Sequence, residues 1–192
     1  MRIAHLHHRR VAVHAHDASA IHMCVESGVD TIEHASFIRP EDIESHRDGH
    51  AYLVPTLSIL SPEVRMSGAT PEQKAAMVQP LLEANARNIT AAYRAGLKLG
   101  FGTDTDIVDL EGHTGLEFRM RKEYCGMSNL DMLLQATKYS AMICGLEGVT
   151  GEVKAGLAAD LIVVDGNPDE DISVMYQKPT LVFVRGQRYQ PQ

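Results

Sequence analysis

Short apolar runs alternate with stretches of helical spacing along most of the chain. Val11-Ala12-Val13 follows a polar opening that reads as the tail of a helix. From Asp17 the apolar positions Ala18, Ile21 and Val25 recur at helical intervals, with Asp17 suited to the N-cap and Gly28 to the stop. A strand is expected over Val29 to Glu33. A helix should start at Pro40 with Glu41 and Asp42 and stop at Gly49, and a strand at Tyr52-Leu53-Val54 should end at Pro55. A long helix is predicted from Pro71 to Ala95, bent or split at Pro80, and Leu97 to Phe101 reads as a fourth strand.

A polar loop from Thr103 to Gly115 precedes helices beginning near Leu116 and Ser128, where Ser128 and Asp131 have capping-box spacing. After Gly145 the pattern changes. Turn residues dominate from Gly148 to Gly156, and Leu161 to Val164 and Leu181 to Arg185 read as strands with little helix between them. The chain therefore divides into an α/β part over 1–145 and a small β-rich part over 146–192. Alternating strands and helices predict a parallel sheet covered by helices, with chemistry at the carboxyl ends of its strands.

Composition narrows the function classes. A chain of 192 residues that is 44% hydrophobic can bury a core. A net charge of -7 leaves no basic stripe for a phosphate backbone, so nucleic acid is not an expected partner. The longest apolar run, near Ala158 to Val164, is broken by Asp160 and falls well short of the roughly 20 residues a membrane span needs. No secretory pattern opens the sequence, and a cytoplasmic location is expected. Cys24, Cys125 and Cys144 are widely spaced, lie in helical segments and read as buried reduced thiols.

Candidate chemistry sits at three strand ends. The first strand leads into His14-Ala15-His16-Asp17, the second ends in Glu33-His34, and the fourth ends in Gly102-Thr103-Asp104. An isolated histidine after an apolar run is usually a packing or capping residue. Two imidazoles and a carboxylate at three strand ends of the same kind form instead a donor set that suits a borderline-soft ion such as Zn²⁺. An aspartate beside an ion's water is also placed to take its proton. His16, two residues beyond His14, should face the same side by strand alternation. With Tyr52 and His113 it is a candidate substrate contact.

The segments VAVHAHD, GVDTIEHASF, YLVPTL, GFGTDTD and GLEGVTGEVKAGLAADLIVVDGNP closely resemble the amidohydrolase superfamily, in its imidazolonepropionase-like and Xaa-Pro dipeptidase (prolidase) branch. The resemblance covers nearly the whole chain. It implies strands five to eight of a TIM-type (β/α)8 barrel, followed by part of a small composite β domain. It further implies that His14 and His34 bind a divalent metal, with zinc the expected ion and one or two ions in the complete enzyme. Asp104 would be both a ligand and the base that moves a proton from the attacking water to the leaving nitrogen. The implied reaction is hydrolysis of C–N bonds in small substrates such as Xaa-Pro dipeptides or N-acyl amino acids. Cyclic-amide hydrolysis or deamination on the same scaffold is the alternative, and a non-catalytic binding or assembly module is a third reading.

The sequence also departs from the family pattern. The strands that carry the family's HxH pair and bridging lysine are absent. His5-Leu6-His7 has the HxH form but belongs to a polar helix end, where an i,i+2 pair does not share a face. Lys98 is out of order for the bridge. Asp17 stands where the family often has glycine, and Lys154-Ala155-Gly156 replaces a more usual turn. A half barrel leaves sheet edges and an apolar face open. The chain is therefore expected to need an N-terminal half or self-association, with truncation of a longer protein favoured and the activity of this chain alone left open.

Overall fold

In the computed structural model, residues 1–46, 51–61, 63–64, 68–104 and 115–189 are described. A short helix α1 (Arg2–Leu6) precedes strand β1 (Ala12–Ala15), helix α2 (Ala18–Ser27) and strand β2 (Thr31–His34). Helix α3 (Pro40–His46) and strand β3 (Tyr52–Val54) follow, and the three strands form one parallel sheet in the order β1-β2-β3. Each element has a local cause. Asp17 caps α2 by accepting from Ser19 N, and Gly28 closes it at φ 69°, a left-handed conformation open to glycine without steric penalty. The sheet's centre is packed by Ile32 and Leu53, both essentially inaccessible.

Helix α4 (Pro71–Arg94) runs unbroken for 24 residues, with Pro80 inside it. Of the two outcomes expected at Pro80, a bend or a split, the split does not occur. An interior proline costs about 3 kcal/mol, and two features offset it. Thr70 and Gln73 form a reciprocal capping box, and Val78, Leu82, Ala86, Ile89 and Ala92 make a continuous buried stripe at helical spacing.

The predicted fourth strand is reduced to a bridge between Leu53 and Leu99, with Gly100 N donating to Leu53 O. Two more of its polar groups are taken by side chains: Gly100 O accepts from Arg121, and Phe101 N donates to Ser140 Oγ. Bonds that would extend a ladder are thus already spent on helices.

Helix α5 (Leu116–Cys125) supplies the main internal anchor. Arg121 and Glu117 are both completely buried and ion-paired at 2.7 Å. Arg121 also donates to Pro55 O, Gly100 O and Gln135 Oε1, while Glu117 accepts from Ser58 N in the 3-10 turn Leu57–Leu60. The guanidinium stacks over Phe101, 4.6 Å from its ring centre. Burial pushes the Glu117 carboxyl above its ordinary range, opposed by the Arg121 charge and the Ser58 hydrogen bond.

Ser128 caps helix α6 (Asn129–Leu134) and pairs with Asp131 as its spacing predicts. The helix continues through a π turn over Gln135–Tyr139 into α7 (Ser140–Ile143). The β-rich part holds an antiparallel sheet of β4 (Leu161–Val163), β5 (Leu181–Val184) and β6 (Gln187–Arg188). Its β5–β6 hairpin, not foreseen from sequence, turns on Arg185 and Gly186 at φ 49° and 79°, the paired positive angles of a two-residue hairpin loop. The 3-10 turn Ile172–Tyr176 packs on α5, and a Cβ at Gly115 would lie 2.2 Å from Met175 O, so glycine permits this approach. Cys24 and Cys125 are buried free thiols, whereas Cys144, contrary to expectation, is exposed at the end of α7. Among the described residues no helix is long and apolar enough to cross a membrane.

Replacing Arg121 by Met should lower stability by about 3–5 kcal/mol, because Glu117 would remain buried without its counter-charge. Glu117→Gln, which keeps an acceptor for Ser58 N, should lose less. Urea unfolding followed by circular dichroism measures both, and a negligible loss for Arg121→Met would contradict the anchoring role.

Candidate metal centre

The first two strands bring three histidines to one rim. In the parallel register Ala15 lies opposite His34 and His14 opposite Glu33. A regular pleat would therefore place His34 on the side of Ala15, away from His14. It does not, because His34 and Ala35 adopt left-handed backbone at φ 68° and 48°. The break in the pleat brings the His34 ring to 4.5 Å from that of His14. His16 reaches the same place by alternation, its ring 4.6 Å from both His14 and His34 and stacked on the latter. One potential ligand atom from each of the three lies within 4.8 Å of the others.

Two of these rings are held by hydroxyl groups. His34 Nδ1 is 2.6 Å from Thr56 Oγ1, and His16 Nδ1 is 2.8 Å from Ser36 Oγ. An Nδ1–H donating to each hydroxyl leaves Nε2 with the free lone pair, the state in which imidazole binds an ion. Ser36 is fixed in turn by α4, where Asn85 Nδ2 donates to its hydroxyl and Asn88 Nδ2 to its carbonyl. Backbone pairing continues past the strand ends: Ala35 N donates to Ala15 O, and Phe37 N to His16 O.

Asp104 ends the segment beyond Leu99. It is half-buried and left-handed at φ 56°, strain that an aspartate tolerates better than most residues and that tends to gather at functional sites. The preceding Thr103 carbonyl accepts from Ser58 Oγ at 3.0 Å, and Ser58 N is bound to Glu117. The buried Glu117–Arg121 pair therefore sets the backbone just before Asp104. Asp104 is not in the set of ligand atoms within 4.8 Å, but its carboxylate is close enough to act on His16 and His34.

Desolvation lowers the proton affinity of both His34 and His16. Neighbouring imidazoles add to the shift, and the Asp104 charge opposes it. Both rings thus favour the neutral form that an ion requires. Neutral imidazoles with a carboxylate nearby fit a divalent ion of the zinc type.

His14, His16, His34 and Asp104 are therefore neighbours. Tyr52 is not: it pairs with Thr31, which places it at the amino end of the sheet, away from the imidazoles. His113 lies outside the described residues. Sequence reasoning missed Ser36, Thr56, Ser58 and Asn85. The first three follow strand ends closely, as hydroxyls in EHAS and VPTLS, and that position is the one signal that could have marked them.

Comparison with known proteins adds to this geometry. Residues 1–189 match the model of the amidohydrolase family. Ochratoxinase from Aspergillus niger is 29% identical over 176 residues, which cover 91% of this chain and 36% of the relative. The crystal structure of A. niger ochratoxinase superposes with a TM-score of 0.82 at 27% identity, over 97% of this chain and 43% of that one. A Xaa-Pro dipeptidase with methionine bound in its active site gives 0.85 at 31%, over 99% and 47%. A prolidase complexed with N-methylphosphonate-L-proline gives 0.84 at 31%, over 98% and 47%. The chain spans less than half the length of each of these relatives.

In the metal-free chain, His16 and His34 should titrate below 6.5, the ordinary imidazole value. A lowered folded pKa means the unfolded chain binds the proton more readily. The stability these rings contribute is then fully present above about pH 6.5 and is lost as pH falls through that value toward their folded pKa. NMR titration of the ring protons measures the midpoints, and a His34 midpoint at or above 6.5 would contradict the desolvated environment.

Proposed function

Because this chain belongs to the amidohydrolase family, we propose that it supplies the metal-binding half of a hydrolase that cleaves C–N bonds in small amide substrates. The substrates proposed are Xaa-Pro dipeptides or similar N-acyl amino acids. Strands β1 to β3 and the Leu99 segment correspond on this reading to barrel strands five to eight. Residues 1–145 then form the barrel part and residues 146–192 a segment of a composite β domain. The observation that carries the reading is convergence: His14 and His34 meet at 4.5 Å across adjacent strand ends, with Asp104 at the end of the segment paired to the next strand. The substrate class rests on the likeness to a prolidase captured with a proline derivative and to a Xaa-Pro dipeptidase.

His14 and His34 would hold a divalent ion, the neutral state of His34 being favoured by desolvation. A bound ion of this kind supplies Lewis acidity, making water at the site more acidic and polarising the carbonyl under attack. Asp104 accepts the proton released as water adds to the carbonyl carbon and returns it to the nitrogen as the C–N bond breaks, giving a carboxylic acid and an amine. Its half-buried setting and the Ser58 hydrogen bond to the preceding carbonyl support this role, because a side chain on a held backbone has fewer conformations to search.

The test uses the chain joined or mixed with a segment matching the remaining half of its relatives. Release of amino acid from Xaa-Pro dipeptides and N-acyl amino acids is compared with turnover of imidazolonepropionate. Asp104→Asn should reduce kcat by about 100-fold or more, the scale of a lost general base, with unchanged circular dichroism. His14→Ala and His34→Ala should lose metal, and activity with it. Undiminished turnover in Asp104→Asn would reject the base assignment.

A further inference from the structure

His16 is exposed, yet the fold gives it a buried support that an idle surface histidine does not need. Its Nδ1 faces Ser36 Oγ, and both Ser36 and the Asn85 that donates to this hydroxyl are buried. Asn85 Oδ1 is left without a hydrogen-bond partner. A buried unpaired acceptor is costly, so holding the amide against Ser36 is favoured at the expense of satisfying it. Asn88 fixes the Ser36 carbonyl as well, and Phe37 N holds the carbonyl of His16 itself. Ring and backbone are both set, and Nε2 is the nitrogen left over.

We infer that His16 is the third protein ligand of a single divalent transition ion, bound by this chain's own His14, His16 and His34. The three rings lie 4.5–4.6 Å apart by centroid, and one nitrogen of each is within 4.8 Å of the others. Four-coordinate zinc with bonds of about 2.0–2.1 Å spaces its nitrogens roughly 3.4 Å apart. Closing by up to roughly 1.4 Å needs only side-chain rotation, for which the exposed His14 has room. Three imidazoles leave the fourth position of a tetrahedral ion open to water or substrate, the arrangement of catalytic rather than structural zinc. His34 is oriented through Thr56 and His16 through Ser36, the hydrogen bonding of the second ring nitrogen that ion-binding histidines almost always show. The inference shares His14 and His34 with the proposed function, but needs neither Asp104 nor the rest of the barrel.

The test is metal binding by the 192-residue chain itself, using zinc and, as a spectroscopic probe, cobalt. One ion per chain is expected, with the intense visible absorption of four-coordinate cobalt and zinc-dependent shifts of the ring ¹⁵N signals of His14, His16 and His34. His16→Ala and His16→Gln should each weaken binding by about 100-fold or more, above the 10–100-fold typical of losing an orienting partner. Ser36→Ala should fall within that lower range. His22→Ala, which alters an imidazole paired with Asp42 on α2, should bind as the parent does. If His16→Ala binds normally while His14→Ala and His34→Ala do not, the third-ligand inference fails and the proposed function stands. If the chain binds no ion until the remaining half is added, the inference of a self-contained site fails alone. Undiminished binding in all three alanine variants sinks both.

Discussion

A fully buried guanidinium organises much of this molecule. Arg121 satisfies carbonyls at Pro55 and Gly100, the amide of Gln135 and the carboxylate of Glu117, and it covers the face of Phe101. These groups come from β3's end, the segment beyond Leu99, α5 and the π turn, which otherwise share few backbone bonds. Burying a charge is tolerable only when its hydrogen-bonding capacity is met. Here that demand ties separate pieces of chain to one planar fork. The partner carboxylate extends the tie through Ser58 to the backbone before Asp104. What holds the core together also sets the rim.

The rim depends on departures from regular geometry. Ideal strands would send His14 and His34 to opposite faces, and the left-handed residues His34 and Ala35 bring them together. Asp104 stands in the same unusual backbone region. Strained residues persist only where their surroundings over-determine them, and here Thr56, Ser58 and the Ala15–Ala35 backbone pair do so.

Much of this was legible in the sequence where local rules govern. The caps at Asp17 and Ser128, the glycine stop at Gly28, the strand at Tyr52–Val54 and the start of α5 all follow from short-range chemistry. Strand ends bearing His14, His34 and Asp104 stood out because metal-binding residue types recur there within segments that resemble one family. Long-range competition was not legible. Nothing near Leu97 to Phe101 signals that Arg121 and Ser140 will take its polar groups, and nothing near Pro80 shows that a buried stripe will carry the helix across it. Tyr52 read as a rim residue because sequence fixes its strand but not its level within the sheet.

The π turn carries one residue more than an α-helix of the same span would need. That surplus lets Ser140 Oγ donate to Gln135 O while accepting from Phe101 N, so a loop of helix becomes a clasp on the segment leading to Asp104. Losing one residue there would rewind everything after it by about 100°. Ser140 would then turn from Phe101, and the side chains of α7 would exchange core for solvent. Such a helix tolerates substitution on its surface far better than any change in its residue count.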